Sequence, residues 1–364
     1  MANSRLPIIS VQGSYFGVNY GDILLIRLYS KWISEAYGDK VLINYPLADQ
    51  KTIKTNNYSN NRRGLTGLIN LCRSKALIYV GGGYFGEPPT DVTRWSIKHI
   101  KEYVVVGLMA ILFRIPIAII GLEYGPLTNR LYRFCVLLIT RLAKVVVVRN
   151  EESKSFLQEN GFDKAIVCPD AALALSEDIK PTQNMNNAPF ILLHIKYIYL
   201  NLDLLDVLLE EICRLKNYKT ILVSDNRGSY YSHPQYDIVL ERFNKKKINY
   251  EIIAYPGVEN LIDLINKSTF VITTKLHVGI TAAALNKRVF SIYKHPKTKR
   301  FHRQIGNIYC IPLSGDGKNY QELFGFFFES STFSLSEELK QRALQNRRYL
   351  VSFLKSIKNK GRII

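Results

Sequence analysis

The stretch FVITTKLHVGITAAALNKRVFSIY, Phe270 to Tyr293, decides the fold. Phe270–Thr273 reads as a buried strand, Val278–Leu285 as a helix of mostly small residues, and Val289–Tyr293 as a second buried strand. Neither strand alternates polar with apolar side chains. Strands of that kind belong to a parallel sheet covered on both faces, and the intervening helix is the crossover a parallel pair needs. Gly279, Ala282, Ala283 and Ala284 let that helix pack closely.

The same alternation extends in both directions. Upstream, the candidate strands are Ile8–Val11, Val41–Tyr45, Ala76–Val80, Pro116–Gly121, Lys144–Val148 and Ala165–Cys168. Helical patterns at Ile23–Ala36, Thr93–Phe113 and Leu127–Ala143 separate most of them. Ser176–Pro189 is polar, with two prolines and three asparagines, and reads as a linker. Beyond it the alternation restarts at Phe190–Ile195 and continues through Thr220–Ser224 and Tyr250–Ala254. A last amphipathic helix is expected over Ser336–Ile357. The fold class expected is therefore α/β: two doubly wound, Rossmann-like domains in a GT-B-like arrangement with a long C-terminal helix. The boundaries read as 1–178, 189–332 and 333–364. In such folds, ligands are expected at the carboxyl ends of the strands, in the cleft between domains.

Composition narrows the classes. The chain has 364 residues, 47% of them hydrophobic, and a formal net charge of +19 from 49 Lys and Arg against 30 Asp and Glu. Such a balance favours anionic partners: phosphorylated substrates, anionic lipid or nucleic acid. Nucleic acid is set aside, because the basic residues are dispersed and no recognition motif is present. The five cysteines are scattered without a CxxC pair, which argues for reduced thiols in a cytoplasmic setting and against zinc. No signal peptide is read in MANSRLPIIS. Arg114 and Pro116 interrupt the most apolar stretch, Tyr103–Gly121, which reads as a helix end, a turn and a core strand instead of a membrane span. Any membrane association is then peripheral.

Four motifs fall at strand ends. GSYFGVNYGD, Gly13–Asp22, follows the first strand. It reads either as a glycine-rich turn with Asp22 capping a helix or as a ligand loop offering Asn19 and Asp22. Its spacing does not match GxGxxG. YVGGGYFGEPP, Tyr79–Pro89, places Gly81, Gly82 and Gly83 at a strand end, where free backbone amides suit an anion, and Glu87 follows as a base or hydroxyl acceptor. In VVVVRNEES, Arg149 ends a buried strand and needs a carboxylate, a phosphate or an exit to solvent. Asp170, in CPDAAL, is a candidate cap or base. In the fourth motif, Lys275 and His277 precede a helix start whose backbone amides favour an anion. Tyr293, Lys294, His295 and Lys297 end the next strand.

Together these pieces resemble the polysaccharide pyruvyl transferase family. The resemblance rests on GVNYGD, GGGYFGE, VRNEESKSFLQENG, PDAAL and, above all, TTKLHVGITAAALNKRVFSIYKHPK, in the family's order over residues 13–300. It implies transfer of pyruvate from phosphoenolpyruvate to a sugar as a cyclic ketal, with no metal and no cofactor beyond that donor. It implies that Arg149, Lys275 and His277 bind and act on phosphoenolpyruvate, with Leu276, Gly279, Lys294 and Lys297 beside them. Where the family commonly has Arg before Leu-His, this chain has Lys275, which keeps the charge and loses the bidentate fork. His277 is the expected general acid. Glu87, Asp22 and Asp170 are the candidate acceptors of hydroxyl protons, Glu87 ranked first. The N-terminal domain is the expected acceptor side and the C-terminal domain the phosphoenolpyruvate side. The acceptor expected is a lipid-linked repeat unit or a growing surface polysaccharide, reached at the inner face of an anionic membrane. The competing readings are a nucleotide-sugar glycosyltransferase, with Asp225 or Glu259 holding a ribose, and a catalytically inactive assembly partner.

Overall fold

The computed structural model describes residues 6–15, 19–38, 40–48, 65–88, 91–180, 188–226 and 229–360. The chain divides into two compact units. The first comprises Met1–Val18, Asp22–Ala171 and Gln341–Ile364, and the second Asn19–Gly21 and Ala172–Lys340.

The first unit is built on six strands: β1 (Ile8–Gln12), β2 (Leu42–Asn44), β3 (Ala76–Phe85), β4 (Ile117–Tyr124), β5 (Val145–Val148) and β6 (Ile166–Val167). Their order is β2-β1-β3-β4-β5-β6, and every described pairing is parallel. The helices are α1 (Tyr20–Tyr37), α2 (Leu65–Cys72), α3 (Val92–His99), α4 (Val105–Leu112), α5 (Arg130–Leu142) and α6 (Glu151–Glu159). The single helix expected over Thr93–Phe113 is interrupted by a π-helical turn, Ile100–Val104. The apolar stretch that follows is a helix end, a turn at Arg114 with φ +55°, and strand β4, whose residues are all buried. Leu77, Ile119, Val136, Ile139 and Val148 belong to one apolar core.

The second unit repeats the plan with β7 (Phe190–His194), β8 (Lys219–Val223), β9 (Tyr250–Ile253), β10 (Phe270–Thr273), β11 (Arg288–Tyr293) and β12 (Cys310–Pro312). The order is β12-β11-β10-β7-β8-β9, again parallel. Its helices are α7 (Leu202–Arg214), α8 (Asp237–Lys245), α9 (Val258–Lys267), α10 (Leu276–Ala284), α11 (Pro296–Gln304) and α12 (Gln321–Glu329). Ile191, Leu208, Phe243, Phe270, Phe290 and Phe324 belong to its core. The long helix α13 (Glu337–Lys360) closes the chain. It is amphipathic as expected, with Leu350 and Leu354 buried. Half of the predicted linker, residues 181–187, lies outside the described residues, and Ala171–Glu177, which overlaps its start, forms a 3₁₀ turn.

In each sheet the strand order reverses once. The first sheet reverses between β1 and β3, the second between β7 and β10. Loops leaving the carboxyl ends of such a strand pair diverge and leave room for a ligand. The first glycine-rich motif follows β1, the glycines of the second lie within the last half of β3, and the Lys-Leu-His motif follows β10.

Candidate functional sites at the strand ends

In the first unit, three neighbouring strands deliver one ionic group, and β3 lays a glycine against it. The glycine run does not end β3, as the sequence suggested, because the strand continues through it to Phe85 with a shift of register. Gly81 and Gly82 take φ of +40° and +103°, where a side chain would be strained. A Cβ at Gly83 would stand 3.2 Å from Oε2 of Glu123 and 3.6 Å from Nη2 of Arg149. Glu123 lies on β4, Arg149 directly follows β5, and Asp170 follows β6. Arg149 Nη2 pairs with Glu123 Oε2, and Nη1 lies 3.3 Å from Asp170 Oδ2. All three residues are buried. Burial opposes the charge on Arg149, but the two carboxylates outweigh it and hold the guanidinium firmly cationic. Among the partners the sequence left open for Arg149, the structure supplies carboxylates. Asn150 Nδ2 donates to Glu123 Oε1, and Asn346 Nδ2 of α13 donates to the carbonyl of Pro169, next to Asp170.

Glu87 stands apart from this group. Its carboxylate accepts from the Thr128 amide and hydroxyl and from the Asn129 amide, at the start of α5. An acidic side chain there satisfies open amides and complements the helix dipole. Both Glu87 oxygens are thus engaged in holding a helix. Asp22 is likewise not the cap expected of it: α1 starts at Tyr20, and Asp22 lies in its first turn.

In the second unit, four neighbouring strands deliver the opposite balance. Asp225, beyond β8, is fully buried. Its Oδ1 lies 3.2 Å from Nε2 of His194, the last residue of β7, and its Oδ2 lies 3.0 Å from Nζ of Lys275, beyond β10. Burial alone would raise the Asp225 pKa, but His194 and Lys275 overcome it and hold the carboxyl well below the usual carboxylate range. Thr273 Oγ1 accepts from the Lys275 amide at 2.9 Å and lies 3.4 Å from His194 Nδ1. The Tyr230 ring meets His194 edge-on at 5.7 Å. Lys196 Nζ stands 4.6 Å above Tyr230, and Lys294 Nζ stands 4.6 Å above Tyr197. His295, beyond β11, is pushed below its ordinary value by partial burial and by the nearby charges of Lys297, Lys294 and Lys275. The part of that depression owed to the three lysines reflects a positive field.

His277 is buried in the first turn of α10, which starts at Leu276 with Lys275 as its N-cap. The sequence placed both residues ahead of the helix. The shift changes the role expected of Gly279, whose amide donates to the Lys275 carbonyl within the helix and is spent there. The lack of a side chain at Gly279 serves packing, since a Cβ would lie 3.3 Å from Ser291 Oγ on β11. Leu276 is buried, while Lys294 and Lys297 are exposed.

Asn19–Gly21 of the first motif cluster with this unit. Asn19 bridges Asn226, the Tyr20 amide donates to the Asp225 carbonyl, and the Tyr20 hydroxyl meets Thr281 Oγ1 at 2.7 Å. A Cβ at Gly21 would fall 2.0 Å from His277 Nδ1, so only glycine lets this backbone lie against the imidazole. Gly17 lies outside the described residues.

A model of the polysaccharide pyruvyl transferase family matches residues 19–296. The chain belongs to that family. It is therefore a transferase by family, and its first matched residue is the asparagine that bridges Asn226. A search of curated proteins found no match. Solved structures resemble the chain in fold. The UDP-GlcNAc 2-epimerase of Methanocaldococcus jannaschii is 13% identical with a TM-score of 0.59, over 95% of this chain and 100% of that one. A putative UDP-N-acetylglucosamine 2-epimerase from Listeria monocytogenes is 10% identical with a TM-score of 0.61, over 98% of both chains. The S. aureus MnaA-UDP co-structure gives 13% and 0.56, over 97% of both. The fold class is thus α/β and GT-B-like, as the alternation of strands and helices implied.

Within the family match, Arg149 and Asp170 form one group with Glu123, and Lys275 forms another with His194 and Asp225. Glu123 and His194 escaped the sequence reading because each sits inside an apolar run, GLEY and FILLH. A charged or imidazole side chain closing a buried strand is the signal that marks them.

Proposed function

We propose that this transferase moves pyruvate from phosphoenolpyruvate onto a saccharide as a cyclic ketal, and that the second unit holds the donor. The observation that carries the reading is the charge balance there. Lys275, Lys294, Lys196 and three histidines, His194, His277 and His295, gather at four adjacent strand ends, against one buried carboxylate already paired. Phosphoenolpyruvate carries a phosphate and a carboxylate, and both need cations. Lys275 keeps one N–H on Asp225 and has two left for the donor. Asp225 thereby fixes the ammonium, which offsets part of what lysine lacks in geometry relative to arginine.

His277 donates a proton to the enol methylene carbon, which leaves a cationic centre at the carbon bearing the phosphate. A sugar hydroxyl attacks that carbon and loses its proton. The C–O bond to phosphate breaks, inorganic phosphate departs, and a second hydroxyl closes the ketal. No metal or further cofactor is required by this sequence of steps. The first unit, with two carboxylates around one arginine, suits neutral hydroxyl groups and is proposed as the acceptor side. The acceptor proposed is a surface or exopolysaccharide, or its lipid-linked repeat unit, met in the cytoplasm at the inner membrane face.

A nucleotide-sugar glycosyltransferase is the second reading, favoured by fold neighbours solved with UDP or UDP-GlcNAc. Its ribose would need a free acid. Asp225 is fully buried against Lys275 and His194, and Glu259 is exposed in the first turn of α9. The test is turnover by purified protein with phosphoenolpyruvate and galactose-, mannose- and N-acetylmannosamine-terminated acceptors. Acceptor-dependent phosphate release with a pyruvate-sized mass gain is expected. His277→Ala should lower the rate about 10²- to 10⁴-fold while the fold persists. Turnover of a nucleotide sugar alone would move the assignment to the second reading.

A further inference from the structure

Helix α5 is apolar on two sides. Its inner side buries Tyr132, Val136, Ile139 and Thr140. Its outer side leaves Leu131 and Phe134 each 62% exposed and Leu142 48% exposed. With Leu138 these fall within an arc of roughly 80° on a helix of 3.6 residues per turn, a full stripe facing water. Arg130, Arg133 and Arg141 occupy the adjoining arc and are exposed. Arg133 and Arg141 bond to the side-chain and backbone oxygens of Asn160, which are neutral, so these contacts leave their charge uncompensated. Helix α4 packs against α5 and ends in Leu112 and Phe113, exposed by 76% and 50%, followed by exposed Arg114.

Exposed apolar patches of this kind mark interaction surfaces. We propose that the outer face of α4 and α5 docks on an anionic lipid bilayer, with Leu131, Phe134, Leu142 and Leu112 entering the interface and the arginines meeting lipid phosphates. The charge pattern selects this occupant. From Val92 to Leu142 the chain has seven Lys and Arg against two acids, Glu102 and Glu123. Glu102 lies 4.0 Å from Lys98, and Glu123 is buried on Arg149. A second copy seated on the same face would set the arginine row near its own image, which like charge disfavours. A bilayer with anionic headgroups supplies both the apolar layer and the counter-charge. No described helix is long and apolar enough to cross a membrane, so the contact is a face lying on the surface. This deepens the lipid-linked-acceptor part of the proposed function. Its test uses no turnover, so either can fail alone.

The test is flotation of the full chain with vesicles of phosphatidylcholine alone or mixed equally with phosphatidylglycerol. Binding to the anionic vesicles is expected to exceed binding to the neutral ones and to weaken at high salt. Leu131→Ser with Phe134→Ser should weaken it on the order of tenfold with an unchanged melting temperature. Ile308→Ser, on the second unit and 72% exposed in the native chain, should bind like the parent. Equal partition onto both vesicle types, or wild-type binding by the double variant, would overturn the proposal. So would a dimer, seen by light scattering, that the double variant dissolves.

Discussion

The two sheets solve one problem with opposite signs. Each brings side chains from three neighbouring strands together around a buried ionic hub. In the first unit the hub is a cation, Arg149, between two acids, Glu123 and Asp170. In the second it is an acid, Asp225, between Lys275 and His194. The difference teaches that the shared topology sets where a site lies, and the residues closing the strands set what it holds. A carboxylate-rich end suits hydroxyl groups, and a cation-rich end suits an anion.

Removing each hub should break this comparison unevenly. Arg149→Ala leaves two buried carboxylates facing each other and should cost about 3–5 kcal/mol of stability, the range for half of a buried ion pair. Asp225→Asn should cost less, about 1–3 kcal/mol, because it keeps the shape and the Lys275 side chain, 27% exposed, can turn to water. Urea unfolding of both variants checks the order. Equal costs would contradict the freedom of Lys275 to turn to water.

A smaller effect sharpens the second unit's side. His302, on α11, is buried with Nε2 2.7 Å from Ser291 Oγ, and burial lowers its pKa to about 4. An imidazole with a depressed folded pKa stays neutral while the unfolded chain takes up a proton. Stability is therefore lost as pH falls from about 6.5 towards 4, on the order of 1–2 kcal/mol by pH 5. Asp225 works in a lower window, since its depressed folded pKa preserves its contribution until pH falls below the usual carboxylate range. Melting temperatures at pH 7 and pH 5 should differ in the native chain, and the difference should shrink in His302→Gln, with His99, also lowered to about 4 by burial, carrying a remainder. An unchanged difference would move the acid sensitivity to another group, such as His99.

Much of the fold was legible because buried parallel strands are written as local apolar runs. Phe270–Thr273 was read to the residue, and most other strands to within one or two. The exceptions have physical causes. Strand β3 overran its glycines because its neighbour β4 supplies hydrogen bonds through a register shift. Strand β12 has three residues ending in proline, too short to show a pattern. Helix α11 is mostly basic, and only its buried Thr298, Phe301 and His302 betray a packed face. The candidate sites were half legible. Residue types at strand ends pointed to Arg149, Asp170, Lys275 and His277, but partnerships are non-local. Nothing in the order of residues ties Glu87 to Thr128, 41 positions away, or Tyr20 to Thr281, 261 positions away.

The central claim is that the donor anion binds at the second unit's basic strand ends. The most direct measurement is calorimetric titration of phosphoenolpyruvate into the native chain, Lys275→Ala and the first-unit variant Glu123→Gln, each checked for an intact melting transition. The account predicts that Lys275→Ala loses affinity on the order of tenfold to a hundredfold, the worth of one charge-assisted contact, while Glu123→Gln binds like the native chain. Native affinity in Lys275→Ala, with the loss falling on the first-unit variant, would contradict it.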